Sequence, residues 1–196
     1  MKLFWFAMGM IVAAIVFTAH TASSEPYVTL GGGLIKSYQT SNDDQLEFGS
    51  EYGQAGTLEG GYRWTEGPKS FSLGLEGSFR NKKLHGQNGF RADTTADGEN
   101  LHAYGLSALA RMDHQYTRRA GLFGFTGAGV GRVTGLGDSD YTPILQGGAG
   151  FNFIVNDNVS TGFGYRYVYL PGVDLSGNRS NVRFHEGFAF VRYHFQ

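Results

Sequence analysis

Not one cysteine occurs in this chain. That absence removes a disulfide scaffold and a lipid-anchored cysteine together, so the fold must stand on backbone pairing and side-chain packing. A surplus of one charge is missing as well. Sixteen basic residues against 17 acidic ones leave a net charge of −1, with the two signs interspersed. Such a chain has no basic stripe to follow a phosphate backbone, which argues against a nucleic-acid partner. Beyond Phe17 no apolar run approaches the roughly 20 residues of a transmembrane helix, and no stretch sustains a helical period. Together with a mean hydropathy of −0.25, this excludes a helical membrane protein. It leaves a β-barrel open, because a barrel shows apolar residues only at alternate positions.

One long apolar run is present, at the very start. Met1 and Lys2 give a short basic opening, Leu3 to Phe17 is almost unbroken hydrocarbon, and Ala19, Thr21, Ala22, Ser23 and Ser24 are the small residues a signal peptidase accepts. Residues 1–24 are therefore expected to be a cleaved signal peptide, cut between positions 22 and 24, leaving residues 25–196 as one mature domain. Glycine is abundant, 31 of 196 residues, and aromatics reach 15%. Neither a collagen period nor a low-complexity tract accompanies the glycine.

Period-two alternation recurs through the mature chain. Phe71, Leu73, Leu75, Gly77 and Phe79 alternate with Ser72, Gly74, Glu76, Ser78 and Arg80. Leu58, Gly60, Tyr62 and Trp64 alternate with Thr57, Glu59, Gly61 and Arg63, and Phe163, Tyr165, Tyr167 and Tyr169 with Gly162, Gly164, Arg166 and Val168. Eight such segments are expected: Tyr27 to Tyr38, Gln54 to Trp64, Phe71 to Asn81, Leu101 to Met112, Gly121 to Thr134, Pro143 to Val155, Val159 to Leu170 and Val182 to Phe195. An even number lets first and last strands meet antiparallel and abolish the edges that lipid cannot satisfy. The connections alternate in length. Thr65 to Ser70, Asp113 to Arg119 and Asn156 to Asn158 are short; Gln39 to Gly53, Lys82 to Asn100, Gly135 to Thr142 and Pro171 to Asn181 are longer. Short periplasmic turns and long external loops place both termini in the periplasm. The fold expected is an all-β, eight-stranded antiparallel up-and-down transmembrane barrel. In a soluble barrel of this size the apolar face would point inward.

The segments Tyr27-Val28-Thr29-Leu30-Gly31-Gly32-Gly33, Gly127-Ala128-Gly129-Val130-Gly131, Gln146-Gly147-Gly148-Ala149-Gly150-Phe151, Gly164-Tyr165-Arg166-Tyr167 and Val191-Arg192-Tyr193-His194-Phe195, in that order and spacing, resemble the OmpA-like, opacity-protein family of small outer-membrane barrels. The resemblance covers nearly all of the mature chain. It implies an outer-membrane location in contact with lipid and lipopolysaccharide, no cofactor, and roles as surface antigen, adhesin or membrane-integrity protein. It further implies that Tyr193 and Phe195 form a C-terminal signal for the barrel-assembly machinery, from which this chain departs by ending on Gln196.

Four charges fall on the inward face: Glu59, Glu76, Arg166 and Arg192, at similar depth by residue counting. A lumen this narrow is filled by side chains, and buried ions must pair. An interior ion-pair network is therefore expected, with Arg63, Arg80 and Arg111 toward the mouths. A narrow channel through that plug is the rival reading. Gly127 to Gly131 lacks the following helix of a dinucleotide fingerprint, and His185-Glu186 is followed by Ala189 where a zinc motif needs histidine. A lipid A deacylase barrel would carry a serine two residues after a histidine; His102, His114 and His185 are followed at that spacing by Tyr104, Tyr116 and Gly187. The chain is thus expected not to be an enzyme, with a lipid A-modifying activity as the alternative. Recognition of a host or surface ligand falls to the loops. Loop one carries Asp43, Asp44, Glu47 and Glu51; loop two mixes Lys82, Lys83 and Arg91 with Asp93, Asp97 and Glu99, beside Leu84, His85 and Phe90.

Overall fold

The computed structural model describes residues 24–40, 45–47, 52–83, 100–135, 138–175 and 178–195. Within them run nine strands: β1 (Ser24–Thr40), β2 (Gln45–Glu47), β3 (Gly53–Glu66), β4 (Lys69–Lys83), β5 (Asn100–Gln115), β6 (Ala120–Gly135), β7 (Asp138–Ile154), β8 (Val159–Leu175) and β9 (Asn178–His194). β2 is a three-residue strip beside the end of β1. The other eight pair antiparallel in chain order, and β9 returns to β1 from Tyr27↔His194 up to Thr40↔Asn181. The ring is closed and leaves no edge in lipid.

Local chemistry fixes the three short turns at the lower end. Glu66 pairs with Lys69 across a turn in which Gly67 takes φ 58°, a left-handed conformation suited to glycine. Thr117 Oγ1 accepts the Ala120 amide at 2.9 Å. Asn156 Oδ1 accepts the amides of Asn158 and Val159 at 3.0 and 2.8 Å, an Asx turn of the kind that closes hairpins.

Paired positions followed once around the ring give its stagger. Tyr27, Gly61, Gly74, Leu109, Gly127, Gln146, Val168 and Phe184 are successive partners, and Phe184 pairs with Ser37, ten residues above the start. Eight strands with that shear, at about 3.3 Å per residue and 4.8 Å between strands, tilt by about 40° and enclose a backbone radius of about 8 Å. Only side chains fit inside. Leu30, Leu58, Leu75, Leu106, Val130 and Phe163 project outward and are exposed, whereas Thr29, Glu59, Glu76, Ser107 and Arg166 on the alternate positions are buried. The faces thus sort as the alternation expects, oily outside and polar within.

The strands, at 14 to 17 residues, outrun the expected lengths. The links Gly135 to Thr142 and Pro171 to Asn181 are largely ladder, reaching Gly135↔Asp138 and Leu175↔Asn178. The cause is inward packing, since Val133, Val173 and Val182 are fully buried in the upper lumen and only continued pairing holds them there. A register shift between Leu170 and Val173 interrupts β8. There Gly172 takes φ 68° and its amide bonds Asn181 Oδ1 at 2.9 Å. Residues 1–23 of the expected signal, Asp43, Asp44 and Glu51 of loop one, residues 84–99 of loop two, and Gln196 lie outside the described residues.

Candidate functional site: the lumen and its two ends

Glu59 and Glu76 are direct cross-strand partners on β3 and β4. Two carboxylates side by side repel unless each is answered by a cation. Arg192 answers Glu59 from below, with Nη2 3.3 Å from Oε2, while its Nε donates to Thr29 Oγ1 at 2.8 Å. The Tyr27 hydroxyl also donates to Glu59. Arg166 answers Glu76 from above, its Nη1 2.8 Å from Oε2 and 2.9 Å from Oε1, and Gln146 Nε2 adds a bond of 3.0 Å to Oε1. The glutamates share a depth but the arginines do not. Arg166 is level with Glu186, six residues up β9 from Arg192, or about 15 Å along the axis at this tilt. Residue counting along separate strands missed this because the stagger lifts each strand relative to the last.

Two further pairs escaped the sequence. Arg80 Nη2 lies 3.2 Å from Glu186 Oε2, and Arg111 Nη2 lies 2.8 Å from Asp113 Oδ1. Arg80 and Arg111, expected at the mouths, are 2% and 7% exposed. Asp113, expected in a turn, is an inward residue of β5. Between the ion pairs lies an aromatic layer of Phe123, Phe125, Phe188 and Phe190. Arg111 stacks 3.9 Å over Phe123, and Arg166 sits 5.1 Å from Phe125 and 5.0 Å from Phe188. These rings give the guanidiniums a second, cation–π, partner. The upper lumen is largely apolar, although Lys82, expected in loop two, is an inward residue of β4 buried opposite Leu101. Ile35, Leu101, Ala103, Val133, Ile144, Val168, Leu170, Val173, Val182 and Phe184 form a buried apolar cluster. All but Val173 sit on inward positions by alternation, the one signal that could have found them; Val173 faces inward only after the register shift in β8.

Two small cavities lie among the described residues. A cavity of about 20 Å³ lies among Glu59, Glu76, Arg111, Arg166 and the phenylalanines. Another of about 40 Å³ opens at the lower mouth beside Arg63, Asp113, Asn152, Ser160 and His194. Either holds a few waters at most. At that mouth Ser160 Oγ and His194 Nε2 are 3.1 Å apart. His194 Nδ1 has no hydrogen-bond partner among the described residues, so nothing orients the ring as a hydrolase triad requires. His185 points outward and Glu186 inward, which separates the two across the wall. Gly127 to Gly131 runs within β6 with no helix after it. At Gly129 a β-carbon would stand 2.6 Å from Ser107 Oγ; the glycine makes room for the lumen. Tyr193 and Phe195 face outward at the lower edge with ring centroids 4.9 Å apart.

Residues 6–195 match the family described as outer membrane protein beta-barrel domain. No curated protein sequence matches the chain. Among solved structures, Neisserial surface protein A is similar at 18% identity and TM-score 0.60, covering 88% of this chain and 99% of its own. The outer membrane enzyme PagL is similar at 12% identity and TM-score 0.50, covering 84% and 97%. Ail, the attachment invasion locus protein of Yersinia pestis, aligns at 18% identity and TM-score 0.49 over 87% and 99%. At such identities the likeness shows the fold alone.

Proposed function

The chain belongs to the outer membrane protein beta-barrel family, and on that premise we propose that it is a surface-exposed structural and interaction protein, neither catalyst nor channel. The observation that carries this reading is the filled lumen. Among the described residues, four buried ion pairs, a phenylalanine layer and an apolar cluster occupy it. A barrel so filled is a rigid post in the outer membrane, and the parts left to meet a partner are the upper hairpins and loops. Fold does not decide this, since enzyme and non-enzyme barrels share it; the filled lumen, and a lower-mouth Ser160–His194 pair whose Nδ1 has no orienting partner among the described residues, support it.

The three short turns are the lower, periplasmic end in this reading, with both termini there and loop two outside the cell. Tyr193 and Phe195, outward on the last strand, are read by the assembly machinery. Protease treatment of intact cells is the test. Clipping within residues 84–99 with the barrel left protected is the expected result. Protection of that loop in intact cells, with cleavage only after the outer membrane is breached, would reverse the orientation. Lipid A of altered acyl pattern after incubation with the purified protein would overturn the non-catalytic reading.

A further inference from the structure

Arg63, Arg80, Arg111, Arg166 and Arg192 face the lumen, and all but Arg63 hold a carboxylate in an ion pair. Arg63 is half-buried and lines the cavity of about 40 Å³ at the lower mouth. Glu25, its cross-strand partner, and Asp113 both attract it, yet among the described residues neither comes within ion-pair distance. A guanidinium carries N–H donors and no acceptor, so one withdrawn from water without an anion is costly. The cavity's other walls also present unmade hydrogen bonds. Arg111 commits Nε and Nη2 to Asp113, and Arg192 commits Nε to Thr29 and Nη2 to Glu59. The Nη1 of each is left without an acceptor among the described residues. His194, 5% exposed, meets Ser160 through Nε2 and has no partner for Nδ1. Asn152, 6% exposed, donates to Asp113 through Nδ2 and has no partner for Oδ1.

We propose that this mouth is a binding site for one inorganic phosphate ion. Arg63 receives the charge, Nη1 of Arg111 and of Arg192 and the Nδ1–H of His194 donate to the phosphate oxygens, and the ion's own O–H donates to Asn152 Oδ1. Size agrees with such a ligand. At roughly 10–15 Å³ per water, the cavity has room for about three waters, about the bulk of one phosphate. The mixture of groups agrees as well. Several donors and three guanidiniums exclude a cation, while the lone acceptor Asn152 Oδ1 asks for a ligand that also has a proton to give. Chloride has none, and a phosphate monoester is mostly dianionic at neutral pH and has none either. Inorganic phosphate keeps a proton while remaining an anion, and planar guanidiniums suit its oxygens. Asp157, on the exposed third turn, lines the same cavity and opposes the ion. A dissociation constant of about 1 mM is therefore expected.

The site uses no loop residue and stands whichever side of the membrane this end faces. Its test is equilibrium dialysis of the full chain, folded in a non-ionic detergent, against radiolabelled inorganic phosphate. One ion per chain is expected, displaced about tenfold less well by chloride or by glycerol phosphate than by unlabelled phosphate. Arg63→Gln is expected to weaken binding about tenfold and Arg63→Lys to keep most of it, both with the compact migration of the unheated barrel on a gel. Asp157→Asn removes the opposing charge and is expected to tighten binding about twofold, a gain that a merely structural role for this turn would not give. No saturable binding of phosphate by the native chain overturns the site whatever the variants do. So does a folded Arg63→Gln variant that binds phosphate as the native chain does, or an Asp157→Asn variant that binds it less well. Glycerol phosphate competing as well as phosphate overturns the assignment to the free ion.

Discussion

The pair Arg166–Glu76 is where the ion-pair reading is most exposed to refutation. Glu76 is 1% exposed and accepts from Arg166 and Gln146; Arg166 is 4% exposed and lies against Phe125 and Phe188. Removing one partner of a buried pair costs about 3–5 kcal/mol because the other charge is stranded. With a urea slope of about 1–3 kcal/mol/M, the unfolding midpoint should fall by about 2 M. Glu76→Leu strands the Arg166 guanidinium and Arg166→Met strands the Glu76 carboxylate, so each single substitution is expected to destabilise. The double variant Glu76→Leu, Arg166→Met fills the same volume without charge and should regain most of the loss. It should not regain all of it, because the Gln146 amide then loses both partners, a penalty of about 1–3 kcal/mol. Adding Gln146→Leu should recover that remainder. The assay is urea unfolding of the barrel in lipid vesicles, followed by tryptophan fluorescence and by gel migration without heating. Midpoints within about 0.3 M of the native chain for both single variants, below about 1 kcal/mol at these slopes, would refute the account. A double variant less stable than either single would do the same.

Three other outcomes follow from the packing. Phe184→Ala in the upper cluster, 1% exposed in the native chain, should cost about 3–5 kcal/mol by the same urea assay, as in the core of a soluble protein. Planar-bilayer recording of the native chain and of Glu76→Ala should show no large steady current in either, because the apolar cluster stays closed above the broken pair; a stable open level would favour the channel reading. At Gly74 a β-carbon would stand 2.6 Å from the Tyr27 hydroxyl and 3.0 Å from Glu59 Oε1. Gly74→Ala should therefore destabilise by about 1–3 kcal/mol, and by less in a Tyr27→Phe background, as a double-mutant cycle would read out.

The facing of each side chain was legible because period-two alternation is a local property. Glu76 points inward for the same reason that Leu75 points outward, and no distant strand alters that. Strand number and antiparallel order were legible from the recurrence of the pattern and the turn residues between segments. Depth was not, since it depends on the ten-residue stagger, which belongs to the closed ring and to no single strand. The partner of Glu186 was hidden for that reason, and Arg80 was assigned to a mouth when it stands beneath the apolar cluster; Asp113, two residues along β5 from Arg111, was missed because it reads as a turn residue. The upper ladder was hidden by a different cause. Asp138, Asp140, Gly172 and Asn181 are turn-forming types, and only the burial of Val133, Val173 and Val182 around them keeps the chain paired.

The same distinction hides a group of aromatic and basic side chains on the outer wall of β8 and β9. Tyr165, Tyr167 and Tyr169 read as one more aromatic strand, and His185 drew attention only in a failed zinc motif and a failed deacylase spacing. What gives them meaning is the register that sets Lys36, His185 and Tyr167 side by side and Arg183 beside Tyr169. Inside the barrel four arginines find their counter-charge within the same chain. On the outer wall, Arg183 stands 5.8 Å over the Tyr169 ring, its Nε without a hydrogen-bond partner among the described residues.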